Sequence, residues 1–362
     1  MKTAFRLYLK KPQTIVAIVA ALMAQIIFIV CWMTSYDGVL DRTSQLRIAV
    51  VNEDGAAAEA LVAQLKQMPF DVTTPSKAIA LRELDERKTH LVITIPARFA
   101  ESLGSPDARK AIRYTVNQAN PQVTKGVIDS VVAKLNAQLD RLASPDAAQL
   151  KTEMQIVHPV NGMNNQMVPM MLVLASYVGA MLMAMNVHQA SMAIGQAISR
   201  RQHFAVRASL ILIAALIISL AGSSLMRALG GQMENGFGAF WLFHFLILLT
   251  FMFFAQMFLI ALGMAGMFAN MAMLSLQLVT SGTIVPRQML SAFYESLGHY
   301  LPATYAVEGL MDLGFGVPFL AQDALALGTI LLASAGISWA VLRAKDRRTE
   351  QASGAELSVA GS

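Results

Sequence analysis

Few side chains here ligate transition metals or move protons near neutral pH. They are the histidines at 90, 158, 188, 203, 244 and 299 and one cysteine, Cys31. The histidines share no ligand spacing, and His-Glu-x-x-His and Cys-x-x-Cys are both missing. His188, His203 and His244 therefore read as polar packing residues. A Gly-rich phosphate loop with its Lys-Ser/Thr is also absent, so the chain is expected to bind no cofactor and to leave ATP and magnesium to another subunit. A single cysteine excludes an intrachain disulfide. Glu295, Glu308, Asp312 and Asp323 stand among apolar residues after Pro286, together with Pro302 and Tyr305. Asn186, Gln256, Gln277 and Ser281 lie in long apolar runs, and no acid–base pair accompanies them, so no enzyme is expected.

Composition says what must position these residues. Mean hydropathy is +0.51 and only 14% of residues are charged, against about 25% in soluble domains. Of the 51 Lys, Arg, Asp and Glu residues, 30 fall within 36–166, as 15 acids and 15 bases. That stretch reads as a nearly neutral soluble domain. The net charge of +5 comes from outside it, from bases flanking apolar runs, which points to a membrane and not to nucleic acid.

About 20 apolar residues make a membrane-crossing helix. Six stretches qualify: 15–33, 168–187, 206–225, 237–262, 271–285 and 322–342. The first is too long for a signal-peptide core and reads as an uncleaved span. Residues 237–285 carry no charge over 49 positions, so a tight reversal is expected at Gly263, Gly266 and Asn270. Arg207 and Asp323, each second in its stretch, count with the flanking segments; the span interiors hold no Asp, Glu, Lys or Arg. Ion-driven carriers keep ionisable groups at depth, so a transporter of this kind takes its energy from a separate ATPase.

Of the 13 bases outside 36–166, 11 lie in 1–14, 199–207 and 343–348, and only Arg227 and Arg287 lie in the alternate loops. The positive-inside rule puts both termini in the cytoplasm and residues 34–166 outside it. Residues 1–14 form an amphipathic basic N-terminus, and 343–362 a basic tail with a disordered end. Within 34–166, strands at 46–51, 70–73, 90–95 and 111–117 alternate with helices at 56–66, 76–87 and 121–142, an α/β pattern with a partly parallel sheet.

Two segments draw functional readings. The cytoplasmic loop 189–204, with Gln189, Met192, Ile194, Gln196, Ile198, Arg200 and Arg201, is either a short coupling helix that docks on an ATPase or a membrane-surface turn with anchoring arginines. Residues 288–316, broken at Pro302, suit two short helices that dip into the outer leaflet and cap a pathway.

Four stretches carry a family resemblance: IAVVNEDG (48–55), LDERKTHLVITIPARFAESL (84–103), HPVNGMNNQMVPMMLVLASYVGAML (158–182) and TIVPRQMLSAFYESLGHYLPATYAVEGL (283–310). In order and placement they resemble type-2 ABC transporter permeases of the YhgE/Pip (phage infection protein) branch. The resemblance implies an α-helical polytopic membrane protein of six transmembrane helices, with an extracytoplasmic α/β domain inserted between helices 1 and 2 and a five-helix permease domain over 167–342. It marks His158, Pro159, Asn161 and Gly162 as the junction into the second span. Pro286, Pro302, Tyr305 and Glu308 fall at the outer gate. The function it implies is export of an amphipathic, drug-like or lipid-like substrate across a bacterial inner membrane. The implied partners are an ATP-binding subunit, a second permease copy (a homodimer) or a different one, membrane lipid and a periplasmic adaptor. Many members have a much longer external domain with coiled-coil insertions, and the short one here speaks against a phage-receptor role; a surface receptor or envelope-assembly scaffold acting through the external domain is the second reading.

Overall fold

The computed structural model describes Cys31, Thr34 and residues 39–68, 70–102, 111–142, 152–194, 199–318 and 321–360. The basic N-terminus and, Cys31 apart, the expected first span lie outside the described residues. The chain forms a sheet unit followed by a helical unit.

The sheet unit contains β1 (Arg47–Asn52), α1 (Glu59–Lys66), β2 (Asp71–Thr73), α2 (Lys77–Asp85), β3 (Leu91–Ile95), α3 (Phe99–Ser102), β4 (Ile112–Asn117), α4 (Gln122–Leu142) and β5 (Thr152–Val157). Strand order is β2-β1-β3-β4-β5, parallel throughout except between β3 and β4. Alternation along each strand sends Ile48, Val50, Leu91, Ile93 and Tyr114 to one face, against Val62 and Leu65 of α1 and Val131 and Leu135 of α4. Ala49, Val51 and Val92 face Ala80 and Leu84 of α2 on the other side. With helices on both faces, β3 is buried along its whole length and is apolar at four of five positions. The fifth strand, β5, was not anticipated. Its Met154 and Ile156 are exposed, so the strand carries little of the burial pattern that marks β1 and β3.

The helical unit contains α5 (Gly162–Ile194), α6 (Arg200–Ala228), α7 (Phe237–Leu262), α8 (Gly266–Thr280), α9 (Ala292–Gly298), α10 (Pro302–Phe315) and α11 (Ala321–Ala360). Hydropathy runs long enough to cross a membrane cover Gly162–Ile194, Arg201–Ala228, Phe237–Thr280 and Ala321–Lys345, four among the described residues. The third is a hairpin: Gly263 takes φ +63°, and Asn270 Nδ2 donates to Ala255 O at 3.0 Å across the two limbs. The limb α8 stops at Thr280 before Gly282 at φ +81°. The break thus precedes the expected one at Pro286, and 15 residues rise only about 22 Å. Helix α11 also departs from expectation, running on to Ala360 where a disordered tail was expected from composition. That segment is rich in Ala, Glu, Lys, Arg and Gln, all good helix formers.

Helix α7 lies at the centre, packed against α5, α6, α8, α10 and α11. Its Phe240, Ile247, Phe251, Ala255 and Leu259 are fully enclosed. His244 ties three helices together, through Ser176 Oγ (3.2 Å) on α5 and Ser223 Oγ (2.9 Å) on α6. At one end of the unit Lys345 Nζ donates to Ile260 O at 2.7 Å, satisfying a terminal carbonyl of α7. Arg207 Nε donates to Ser191 Oγ at 2.9 Å between α6 and α5. Arg207 is 8% exposed and Asp323 2%, so both residues counted with span flanks are buried in the protein.

Candidate functional site

The sheet unit meets the helical unit along α9 and α10. Proline opens α10 at a position whose N–H would have no helical partner, and a left-handed Gly316 closes it. Two acids four residues apart, Glu308 and Asp312, share one side of this helix. Asp312 is 1% exposed. Its counter-ion comes from the sheet unit. After α2 the chain turns back through Arg87 at φ +56°, with the Lys88 and Thr89 amides donating to Glu83 O. The turn aims the Arg87 guanidinium at Asp312 Oδ1 (2.5 Å), Glu308 O (3.2 Å) and Met311 Sδ (3.2 Å). The Glu308 carboxylate pairs separately with Arg287 at 2.8 Å.

A second tie lies beside it. His158, at φ +48° between β5 and α5, places Nε2 2.5 Å from Asp85 and Nδ1 3.2 Å from Phe315 O. It thereby joins the ends of α2 and α10. Gln232 accepts from the Asn161 amide (3.0 Å) and donates to Pro159 O (2.8 Å), and Gly162 at φ +81° opens α5. Two backbone-directed bonds complete the seam, Arg42 Nε to Met289 O (2.6 Å) and Val123 N to Ile284 O (3.3 Å). Cys31, Leu46, Val279, Val285 and Tyr294 pack between them.

Electrostatics follow from this burial. Desolvation pushes the His90 imidazole down to about 4, so the ring is neutral and accepts from the Arg47 amide at 3.2 Å. Burial raises the Tyr305 hydroxyl, which donates to His299 O at 2.7 Å. Lys88 bonding holds the Glu86 carboxyl below its ordinary value. Among the described residues no three His, Cys, Asp or Glu side chains converge as a metal site requires.

The structure brings Pro302, Tyr305 and Glu308 together on α10, with Pro286 opening the 3-10 turn that carries Arg287. It also brings the junction residues His158, Pro159, Asn161 and Gly162 to the same seam. The cytoplasmic segment is different. Gln189, Met192 and Ile194 belong to the last turns of α5, which runs without a break to Ile194. Arg200 and Arg201, placed in that loop by the sequence reading, open α6 instead, because Ser199 and Gln202 form a capping box. Gln196 and Ile198 lie outside the described residues. Met192 and Ile194 are 63% and 48% exposed. Sequence reasoning missed Arg87 and Asp85, which look like ordinary surface charges in LDERK. The only signal was Asp312, an acid inside an otherwise apolar helix that needed a partner.

Residues 13–342 match the family described as ABC-2 family transporter protein. The chain belongs to the ABC-2 transporter family. It is therefore a polytopic membrane protein of a transporter family. It is also similar to the uncharacterized protein YhgE of Bacillus subtilis (strain 168), 26% identical over 164 residues. That match covers 45% of this chain and 21% of the relative, so the chain spans about a fifth of that protein's length.

Proposed function

We propose that this ABC-2 family chain is the permease of an ATP-driven exporter, moving an amphipathic, drug-like or lipid-like substrate out of a bacterial cell. Six spans cross the cytoplasmic membrane, the first being 15–33 and the fourth and fifth the limbs of the α7–α8 hairpin. The sheet unit lies outside and both termini inside. Two copies form the pathway, each driven by one ATPase at the α5–α6 connection, with α9 and α10 dipping into the outer leaflet as its external cap.

One observation carries the reading. Arg200, Arg201 and Arg207 lie in the first turns of α6, and Arg343 and Lys345 lie on α11 where Lys345 bonds the C-terminal end of α7, whereas Arg227 is in the last turn of α6 and Arg287 pairs with Glu308 at the seam with the sheet unit. Under the positive-inside rule that asymmetry supports a cytoplasmic α5–α6 connection. Exposed Met192 and Ile194 give an ATPase an apolar foothold there.

The test uses tagged full-length protein purified from its host in a neutral detergent, alongside accumulation assays in a deletion strain. An ATP-binding subunit should co-purify, and Met192→Asp/Ile194→Asp should reduce its recovery at least tenfold and raise substrate accumulation to the level of the deletion. Recovery without any ATPase, with accumulation unchanged across a broad panel, refutes export. Retention of an external binding activity after deletion of 189–204 would instead favour a receptor.

A further inference from the structure

Two cavities meet at the seam between the units and share Asn120, Pro121 and Met311 in their walls. The first, of about 200 Å³, has charged walls, with the bases Arg87, Lys88 and Arg287 and the acids Glu86, Glu308 and Asp323 among its lining. Each base already has a carboxylate: Arg87 has Asp312 at 2.5 Å, Lys88 has Glu86 at 2.6 Å, and Arg287 has Glu308 at 2.8 Å. Asp323 is left over. It is 2% exposed and has neither a hydrogen bond nor an ion pair among the described residues. The charges around it, Glu308, Asp312, Arg87 and Arg287, cancel in pairs. The cavity therefore carries one surplus buried carboxylate, an arrangement that is costly unless a cation or a proton neutralises it.

The second cavity, of about 290 Å³, is mainly apolar, lined by Met163, Met167, Met170, Ile284 and Phe315. Thioether side chains adapt to ligands of varied shape, and Met163 and Met167, 69% and 37% exposed, open it to the outside of the helical unit. Asn120 stands where the two spaces join. It is 3% exposed, and its Nδ2 has no hydrogen-bond partner among the described residues. A donor buried without an acceptor is available to a ligand, a water or an ion that enters the space.

We propose that the two cavities are one binding site for a cationic amphiphile, with its ammonium on Asp323, its apolar portion among Met163, Met167 and Met170, and an acceptor at its midpoint on Asn120. An anionic head would meet the surplus carboxylate, and a neutral one would leave its charge to be neutralised by a proton. A divalent metal would want several oxygen ligands, whereas the neighbouring acids are already engaged by Arg87, Arg287 and Lys88. As the exporter's substrate class this rests on the reading above, but the binding itself does not.

The probe is monodansylcadaverine, a lipophilic primary amine, compared with its N-acetylated neutral form, each titrated by fluorescence polarisation into the full chain in nanodiscs of zwitterionic lipid, with empty nanodiscs as the blank. Saturable binding of the amine at least tenfold tighter than that of the acetylated form is expected. Asp323→Asn should erase the difference by weakening the amine alone, and Met167→Trp, which fills the apolar space, should weaken both. Equal affinities for the two probes on the wild-type chain, or an amine affinity unmoved by Asp323→Asn, overturn the site; the wild-type comparison decides even where the variant fails to fold. Absent binding with ATPase co-purification intact removes the site and leaves export standing. Binding without any ATPase association keeps the site and removes export.

Discussion

The Arg87–Asp312 pair can be measured as a coupling. Asp312 is 1% exposed and the Arg87 side chain 14%, so the pair lies almost wholly out of water. Removing one partner of such a pair leaves a buried charge without compensation and costs about 3–5 kcal/mol. Replacing both with apolar residues of similar volume removes the desolvation penalty as well as the attraction, and is often close to neutral. Arg87→Met and Asp312→Leu should therefore each destabilise the protein by about 3 kcal/mol or more, and the double variant by less than either. The guanidinium also serves Glu308 O and Met311 Sδ, so Arg87→Met should be the harsher single change. Denaturant unfolding in neutral detergent, followed by tryptophan fluorescence, reads the four corners of the cycle. Proteolysis within 84–90 reports whether the sheet unit comes loose first. Single changes that sum to the double within about 0.5 kcal/mol would mean the two charges do not act on each other, and the clamp argument would be wrong.

Two further outcomes are expected. His90 is neutral in the fold, with its pKa pushed from 6.5 to about 4, while the unfolded chain takes up the proton earlier. Stability is therefore fully present above pH 6.5 and falls as the pH drops towards 4, by on the order of 3 kcal/mol. Melting curves of full-length wild type and His90→Gln across that window should differ in slope, and parallel curves would assign the acid sensitivity elsewhere. At the α7–α8 hairpin, a Cβ on Gly266 would sit 2.4 Å from Phe258 O, a backbone atom that cannot rotate away. Gly266→Ala should cost about 1–3 kcal/mol. Gly179→Ala, in open space on α5, should be neutral or stabilising by up to about 1 kcal/mol; equal melting shifts for the two would refute the close approach.

What the sequence made legible is what repeats locally. The alternation in RIAVVN and LVITI, the spacing of four and three in α4, and the uncharged run around Gly263 each report the environment of a single element, and each element is present. The seam was not legible, because it joins residues far apart in the chain: Arg87 to Asp312, Asp85 to His158, Val123 to Ile284. A surface-like arginine becomes a buried counter-ion only once α2 is docked on α10. The α5–α6 connection misled for the opposite reason. Its first residues continue α5 without a helix stop signal, so a reading that stopped the span at 187 took the helix's own last turns for a new element. The capping pair Ser199 and Gln202 was the signal that Arg200 starts a helix.

The attachments of the sheet unit share a feature that bears on how such a permease moves. Arg87, Arg42, Val123 and the His158 bridge all reach the stretch between Ile284 and Phe315, which holds the two short helices α9 and α10. Helix α10 in turn rests on the central helix α7, where Gly309 lets the Phe243 ring approach so closely that a Cβ would lie 2.2 Å from it. Arg87 and His158 thus bind the sheet unit to α10 by polar, partly buried bonds, and close apolar packing holds α10 on α7. The polar ties are directional and costly to break singly, whereas packed apolar faces can slide by small steps. A displacement of α10 is therefore expected to carry the sheet unit with it, with the contact between Gly309 and Phe243 as the surface that yields. Gly309→Ala, which jams that surface and leaves every bond of the seam in place, separates motion at the α7–α10 contact from motion within the seam.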